Sequence, residues 1–292
     1  MTLTVKPLHP LFVGEASGID LSQPLDAQNV QAIRQAMDEY AVLVFRNQPL
    51  SETQQLDLAK SFGPLDLGLK KLKHRPDRLQ HHELADLSNV RDEGGVVDRD
   101  DPKIVSNIAN QLWHSDSSFQ KPSAEYSMLC AVKVPPAGGE TEYADLRAAY
   151  DSLTADMKAE VADLQAEHYV LHSRFMLGYT DYSDAQKNTI PPVTWPLVRT
   201  HPGSGRKVLF VSSHARSVDG WTLAEGRMLL LDLIEHATQR DFVYRHHWQA
   251  NDLVIWDNRC TLHRGRRFDF NQVRELRRAT TLDVNAPELH AG

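Results

Sequence analysis

The chain has 292 residues, of which 41% are hydrophobic, 8% aromatic and 24% charged, and this composition excludes general disorder. The formal net charge of −7 disfavours a broad surface for nucleic acid or for an anionic membrane. The sequence has no apolar run near the roughly 20 residues of a membrane span, no apolar segment of a secretory signal at its start, and too few cysteines for a disulfide framework. We therefore expect a single cytoplasmic domain over residues 1–292.

The first third of the chain alternates between helix and strand. Apolar residues at helical spacing predict a helix over 29–40, and the apolar run 41–45 predicts a short buried strand. Ser51, with Gln54 three residues on, forms a capping-box pattern that opens a second helix. From 68 to 102 the periodicity fails, and a basic stretch is followed by an acidic one that contains glycine. Long segments of this kind often carry function, so we predict an active-site excursion over the surface here.

Beyond residue 103 the pattern changes to strands and turns. Strands are predicted at 126–134, 197–200, 207–212, 242–249 and 253–256, and helices at about 155–167 and 223–239. Turn residues at 202–205 and 250–252 predict that the last four strands form two hairpins. Short strands, tight turns and a few helices favour a mainly β, double-sheet architecture.

His114 and Asp116 are the first candidates for metal chemistry. In an extended segment the period of two puts the imidazole and the carboxylate on the same face, where one ion could bind both. The His-x-Asp pattern alone is weak, because a chain with 14 histidines contains about one by chance. The rival cluster His81-His82-Glu83 lies in the charged excursion and is interpreted as solvated.

His263 would complete a set of three ligands. Two imidazoles and one carboxylate on one face of a metal leave the opposite positions open, as in non-haem Fe(II) oxygenases. Zinc sites more often use three histidines, or cysteine. Cys260 precedes His263 by three residues, but two cysteines are too few for a structural zinc site. We expect Cys260 to be a small buried side chain.

Arginines follow this histidine near the end of the chain. Arg274 and Arg278 are four residues apart, so in a regular strand they face the same side and oppose Arg277. A guanidinium group suits a carboxylate because it donates two parallel hydrogen bonds. Two inward arginines near a metal indicate two acidic small molecules, whereas Arg277 is expected to be solvated.

Several longer motifs carry a family resemblance. They cover 110–119 (NQLWHSDSSF), 166–169 (AEHY), 195–201 (WPLVRTH), 256–260 (WDNRC) and 274–281 (RELRRATT). Together they make the chain similar, from residue 5 to about 283, to the taurine dioxygenase/2,4-dichlorophenoxyacetate dioxygenase family of Fe(II)- and 2-oxoglutarate-dependent oxygenases. The match is strongest to its phenoxyacetate branch.

The resemblance implies a mainly β fold with a double-stranded β-helix (jelly roll) core flanked by α-helices. It implies that His114, Asp116 and His263 bind Fe(II). The residues that it implies for 2-oxoglutarate are Thr141, Trp256 and Arg274. In the family the far carboxylate of this cosubstrate meets an arginine eleven positions after the distal histidine.

For the substrate, the resemblance places Arg278 at the position that binds an anionic group, which in the phenoxyacetate branch is a carboxylate. The other implied substrate contacts are Lys71, Asn110, Ser117, His201 and His214. The implied reaction consumes O2 and 2-oxoglutarate and hydroxylates the carbon next to the ether oxygen of an aryloxyalkanoate such as 2,4-dichlorophenoxyacetate. Its products are a phenol, glyoxylate, succinate and CO2. We also expect a homo-oligomer, a dimer or larger.

Three alternatives stay open. An alkylsulfonate substrate such as taurine would release sulfite instead of a phenol. A zinc hydrolase on the same ligands would work without oxygen or 2-oxoglutarate. A non-catalytic jelly-roll binding protein would have no need of Arg274 and Thr141 beside a full ligand set.

Overall fold

A computed structural model describes residues 2–68, 78–101, 104 and 107–286. The strands within these ranges are β1 (Thr4–His9), β2 (Val13–Ser17), β3 (Val42–Phe45), β4 (Ala85–Asp86), β5 (Ala124–Lys133), β6 (Thr141–Asp145), β7 (Gln165–His168), β8 (Val193–Pro196), β9 (Val198–Thr200), β10 (Lys207–Leu209), β11 (Ala215–Val218), β12 (Val243–His246), β13 (Leu253–Asp257), β14 (Thr261–Gly265) and β15 (Glu275–Leu282). The α-helices are α1 (Ala27–Tyr40), α2 (Glu52–Lys60), α3 (Leu146–Asp151), α4 (Ala155–Val161), α5 (Val170–Phe175), α6 (Asp184–Thr189) and α7 (Leu223–Ala237). Short 3₁₀ helices cover Ala109–Gln111 and Arg240–Phe242.

The main sheet has seven strands in the order β1-β2-β3-β13-β5-β15-β4. All of its pairs are antiparallel except that of β2 with β3. The central strands β3 and β13 are apolar on both faces, which buries them between two layers. Leu43 and Ile255 belong to the apolar cluster of α1 and α2, whereas Val44 and Trp256 belong to the cluster beneath the second layer.

The second layer is the three-stranded sheet β12-β6-β14. Tyr143 of β6 packs in the same cluster as Trp256, with their ring centroids 5.5 Å apart, and so closes the space between the layers. A third apolar cluster contains Leu146 of α3, Leu233 of α7 and Leu262 of β14. The predicted jelly-roll core is confirmed, and helices flank both of its layers.

The local predictions for the paired elements were mostly correct. The capping box of Ser51 and Gln54 begins α2, and β9 and β10 form the predicted hairpin. The second hairpin is wrong, because β12 pairs with β6 while β13 pairs with β3 and β5. The turn at 250–252 therefore joins two different sheets.

The helix predicted over 155–167 is too long. It ends at Val161, and Gln165–His168 forms β7 between β8 and β11. Sheet pairing outweighs the helical spacing of the apolar residues here. Within the described ranges, no helix has both the length and the apolar character needed to cross a membrane.

Candidate active site

His114 and His263 are brought side by side by a short antiparallel contact between their backbones. The His114 amide donates to the His263 carbonyl at 3.0 Å, and the His263 amide donates back at 2.8 Å. The ring centroids are 4.1 Å apart. Asp116 lies two residues on, with its Oδ1 3.9 Å from His114 Nε2 and its Oδ2 3.7 Å from His263 Nε2. The predicted triad therefore meets at one point between the two layers.

The triad fits a divalent metal ion. His114 Nδ1 lies 2.8 Å from the Leu112 carbonyl, which only accepts, so the proton is on Nδ1 and the lone pair of Nε2 points to the triad. This Nε2 is buried and has no hydrogen-bond partner among the described residues. Burial lowers the pKa of both His114 and His263, which keeps the imidazoles neutral as metal ligands must be. One nitrogen or oxygen from each of the three residues lies within 4.8 Å of the others.

Ser127 and Asn258 hold Asp116 in place, and neither was predicted as a site residue. The Ser127 hydroxyl donates to Asp116 Oδ2 at 2.7 Å. Asn258 accepts from the Asp116 amide at 3.0 Å and donates to Ser127 Oγ at 3.0 Å. The same amide oxygen accepts from Trp256 Nε1 at 3.0 Å, so one side chain links the carboxylate to the predicted cosubstrate residues.

A cavity of about 410 Å³ opens on the His263 side of the triad. Its walls include the three residues predicted for 2-oxoglutarate, which are Thr141, Trp256 and Arg274. Thr141 Oγ1 accepts a hydrogen bond from Trp248 Nε1 at 3.0 Å, and this tryptophan was not predicted. Because an oxygen that accepts at this point keeps its own proton free, the Thr141 hydroxyl can still donate to a ligand.

Arg274 is one of five arginines among the described residues that line this larger cavity. Its Nε and Nη2 donate to the carbonyl of Gly139 at 3.2 and 3.1 Å. Enclosure of the guanidinium lowers the pKa of Arg274 to about 10, which leaves it charged at neutral pH. No ion pair of Arg274 with a carboxylate is found among the described residues. An anionic ligand would supply the missing counter-charge.

A second cavity, of about 90 Å³, lies on the Asp116 side of the triad. Four of the predicted substrate residues line it, namely Asn110, Ser117, His214 and Arg278. His114, Asn110 and Arg278 line both cavities, so the two spaces meet at the triad. Arg174 also lines the smaller cavity, although it was not predicted.

Arg278 contacts the triad and also lines the smaller cavity. Its Nη1 donates to Asp116 Oδ1 at 2.6 Å, while its Nη2 has no partner among the described residues. Ser117 donates to Asp66, and its φ of 49° turns the chain away from the extended segment that carries the triad. His214 is buried beside His114, at 6.0 Å between ring centroids, and burial holds its pKa well below the usual value.

Three predictions about single residues have other outcomes. His201 lines neither cavity, because its buried ring lies 3.0 Å from Asp257 Oδ2 and accepts from the Ser204 amide at 3.0 Å. The structure therefore does not bring His201 together with the other predicted substrate residues, and its substrate contact stays a prediction. Arg277 is not simply solvated, since its Nε donates to Gln55 Oε1 at 2.9 Å. Lys71 lies outside the described residues.

The triad consists of two imidazoles and one carboxylate. Such a set leaves coordination positions of the metal open, and it defines the class of site used by non-haem Fe(II) oxygenases. Comparison with known proteins agrees with this class. The chain belongs to the family described as taurine catabolism dioxygenase TauD, TfdA family, whose model matches residues 4–280.

Relatives within the family are close. The chain is 60% identical, over 97% of its length and 99% of the relative, to the alpha-ketoglutarate-dependent 2,4-dichlorophenoxyacetate dioxygenase of Cupriavidus pinatubonensis strain JMP 134. It is 56% identical, over 97% of its length and 95% of the relative, to the enzyme of the same name from Burkholderia sp. strain RASC. The crystal structure of AAD-2 in complex with Mn(II) and N-oxalylglycine matches with a TM-score of 0.92 and 46% identity, over 97% of this chain and 98% of that one.

These findings settle the type of chemistry. The protein is a 2-oxoglutarate-dependent non-haem iron dioxygenase that uses Fe(II), 2-oxoglutarate and O2. The zinc hydrolase and the non-catalytic binding protein are therefore excluded. Its substrate is a small molecule.

Proposed function

We propose that the substrate is an aryloxyalkanoate such as 2,4-dichlorophenoxyacetate, which is hydroxylated on the carbon between the ether oxygen and the carboxylate. The observation that carries this proposal is a pair of arginines beside the triad, with Arg274 in the larger cavity and Arg278 where the two cavities meet. Two separate guanidinium groups suit two separate carboxylates. The close relatives that act on 2,4-dichlorophenoxyacetate support the choice of substrate.

His114, Asp116 and His263 would hold the iron, and the larger cavity would take 2-oxoglutarate. Arg274 and the Thr141 hydroxyl would bind the carboxylate of 2-oxoglutarate that lies away from the metal. Trp256 is fully buried and gives this cavity a rigid apolar wall. Bound iron and 2-oxoglutarate together supply the oxidising power that inserts one oxygen atom of O2 into a C–H bond.

The smaller cavity would position the carboxylate end of the substrate. Arg278 donates to its carboxylate through Nη2 while Nη1 stays on Asp116, so the neighbouring methylene lies next to the triad. Placement of this kind accelerates a reaction because the reacting atoms no longer have to find each other. Asn110, Ser117 and His214 would complete the polar wall. Hydroxylation gives a hemiacetal, whose bond to the aryl oxygen breaks to release a phenol and glyoxylate.

Product analysis tests this function. The Fe(II)-loaded enzyme is incubated with 2-oxoglutarate, O2 and a panel of aryloxyacetates and alkylsulfonates. We expect phenol, glyoxylate and succinate in equal amounts, and none of them without oxygen. Release of sulfite from a sulfonate, without phenol from the aryloxyacetates, would instead identify an alkylsulfonate dioxygenase.

We also propose that the enzyme works in the cytoplasm as a homo-oligomer of single-domain subunits. Two cysteines, Cys130 and Cys260, are both buried and free, which fits a reducing compartment. Helices on the outer faces of both layers offer surfaces for subunit contacts. Cell fractionation and light scattering test the two statements separately.

A further inference from the structure

Arg174 is a buried arginine in the wall of the smaller cavity, close to the C-terminal end of α5. Only 6% of its surface is exposed. Its Nη1 donates to Ser173 Oγ at 2.7 Å and to the Val170 carbonyl at 3.4 Å, and both acceptors are neutral. Its Nε and Nη2 donate to none of the described residues. The guanidinium is thus fixed through Nη1, while its other two nitrogens have no acceptor in the part of the chain that the structure describes.

No carboxylate among the described residues balances this charge. Four acidic residues line the same cavity, namely Asp66, Glu83, Asp86 and Asp116, and none of them forms an ion pair with Arg174. Asp116 is bound by Arg278, and Asp66 accepts from Ser117 and Gln120. Burial without a counter-ion lowers the pKa of Arg174. A buried charge is costly unless it is paired, so the position favours an anionic ligand.

Arg174 and Arg278 line the same cavity, together with His114 and Asp116 of the triad. The two arginines are therefore both part of the wall on the Asp116 side of the triad. A cavity of about 90 Å³ has room for about three water molecules, which is about the size of one carboxylate group.

We infer that Arg174 binds the carboxylate of the substrate together with Arg278, and that it makes this cavity select an anion. The inference rests on the proposed function, because it needs a carboxylate next to the carbon that is hydroxylated. Arg278 has to share its donors with Asp116, whereas Arg174 has no competing carboxylate. Arg174 would therefore be the principal charge that distinguishes an acid from a neutral ligand of the same shape.

The test compares an acid with its amide in the iron-loaded enzyme. For Arg174→Met we expect the KM for 2,4-dichlorophenoxyacetate to rise about 10- to 100-fold, because a charged hydrogen bond is lost. The inhibition constant of the neutral 2,4-dichlorophenoxyacetamide and the KM for 2-oxoglutarate should stay within about threefold. Arg174→Lys should recover part of the loss. Arg227→Met, which removes an exposed charge elsewhere, is the matched control and should change none of these values.

Thermal unfolding supplies a readout that does not depend on turnover. Because Arg174 is buried without a counter-ion among the described residues, Arg174→Met should melt no lower than the wild type, but raising its Tm by the same amount should take about 10- to 100-fold more of the acid. Equal losses for acid and amide, or an unchanged KM for the acid, would overturn the role of Arg174 and leave the proposed function intact. Failure of the wild type to release phenol from any aryloxyalkanoate would overturn both.

Discussion

The two cavities at the triad differ in what builds their walls. Thr141 and Trp256 of the larger cavity lie on strands of the two facing sheets, and Arg274 immediately precedes β15. In the smaller cavity, Ser117 lies in a loop with a left-handed φ and Arg174 on the short helix α5. The side proposed for the cosubstrate therefore draws these residues from the jelly roll itself, whereas the side proposed for the substrate draws them from segments attached to it.

This difference matches the two tasks. A cosubstrate that every family member uses is best held by paired strands, whose backbone positions are fixed. Substrate contacts on loops and short helices change without disturbing the core. Arg278 stands at the boundary, because it belongs to β15 and lines both cavities. Substitutions on the two sides should consequently have separable effects.

The largest loss of turnover is expected from a substitution in the triad, where both cavities meet. Asp116→Ala removes one of three metal ligands and also the partner of Arg278, so turnover should fall by more than about 100-fold. Iron content after desalting, measured by atomic emission, should fall in parallel. Asp184→Ala, on the exposed first turn of α6, is the control. Normal turnover in Asp116→Ala would remove this residue from the ligand set.

A pair of arginine substitutions separates the two sides of the triad. Arg274→Ala should raise the KM for 2-oxoglutarate, and Arg278→Ala the KM for the substrate, each by roughly 30-fold or more, because loss of a buried charged hydrogen bond costs about 2–5 kcal/mol. Steady-state kinetics with each ligand varied in turn gives the four values. If both variants changed both constants equally, the two anion sites would not be separate.

The metal-binding residues were predictable because they carry a pattern. His114 and Asp116 lie two apart in an extended segment, and Arg274 and Arg278, four apart, both line the larger cavity. The alternation also placed Arg277 on the opposite face, where it meets α2 through Gln55. Local periodicity and a family motif were sufficient for these positions.

Other parts of the site depend on tertiary contacts that no local pattern contains. Ser127 reaches Asp116 only because β5 lies between β13 and β15 in the main sheet. Arg174 enters the smaller cavity from a short helix that follows β7, far from any metal motif. His201 matched a motif, but its neighbour in space is Asp257, which bonds the ring in the core. The second hairpin failed for a related reason, since a turn does not fix which strands pair.

Ser127→Ala tests whether the hydrogen bond from Ser127 orients the Asp116 carboxylate for iron binding. Without the hydrogen bond from Ser127 the carboxylate loses one of the contacts that orient it, so iron affinity should weaken about 10- to 100-fold. Titration of the apoenzyme with Fe(II) under anaerobic conditions measures this. Ser123→Ala is a buried control whose Oγ has no partner among the described residues. Equal affinities in the two variants would contradict an orienting role for Ser127.

The smallest effect is expected from a substitution beside Thr141, and it should concern the KM for 2-oxoglutarate alone. Trp248→Phe keeps an aromatic ring but removes the donor to Thr141 Oγ1, so the hydroxyl is free to rotate away from the cavity. Because a neutral hydrogen bond contributes about 0.5–1.5 kcal/mol, the KM for 2-oxoglutarate should rise about two- to tenfold, with kcat and the substrate KM unchanged. Trp221→Phe, at a partly exposed surface position, is the control. A change in the substrate KM of Trp248→Phe would mean that the two cavities do not respond independently.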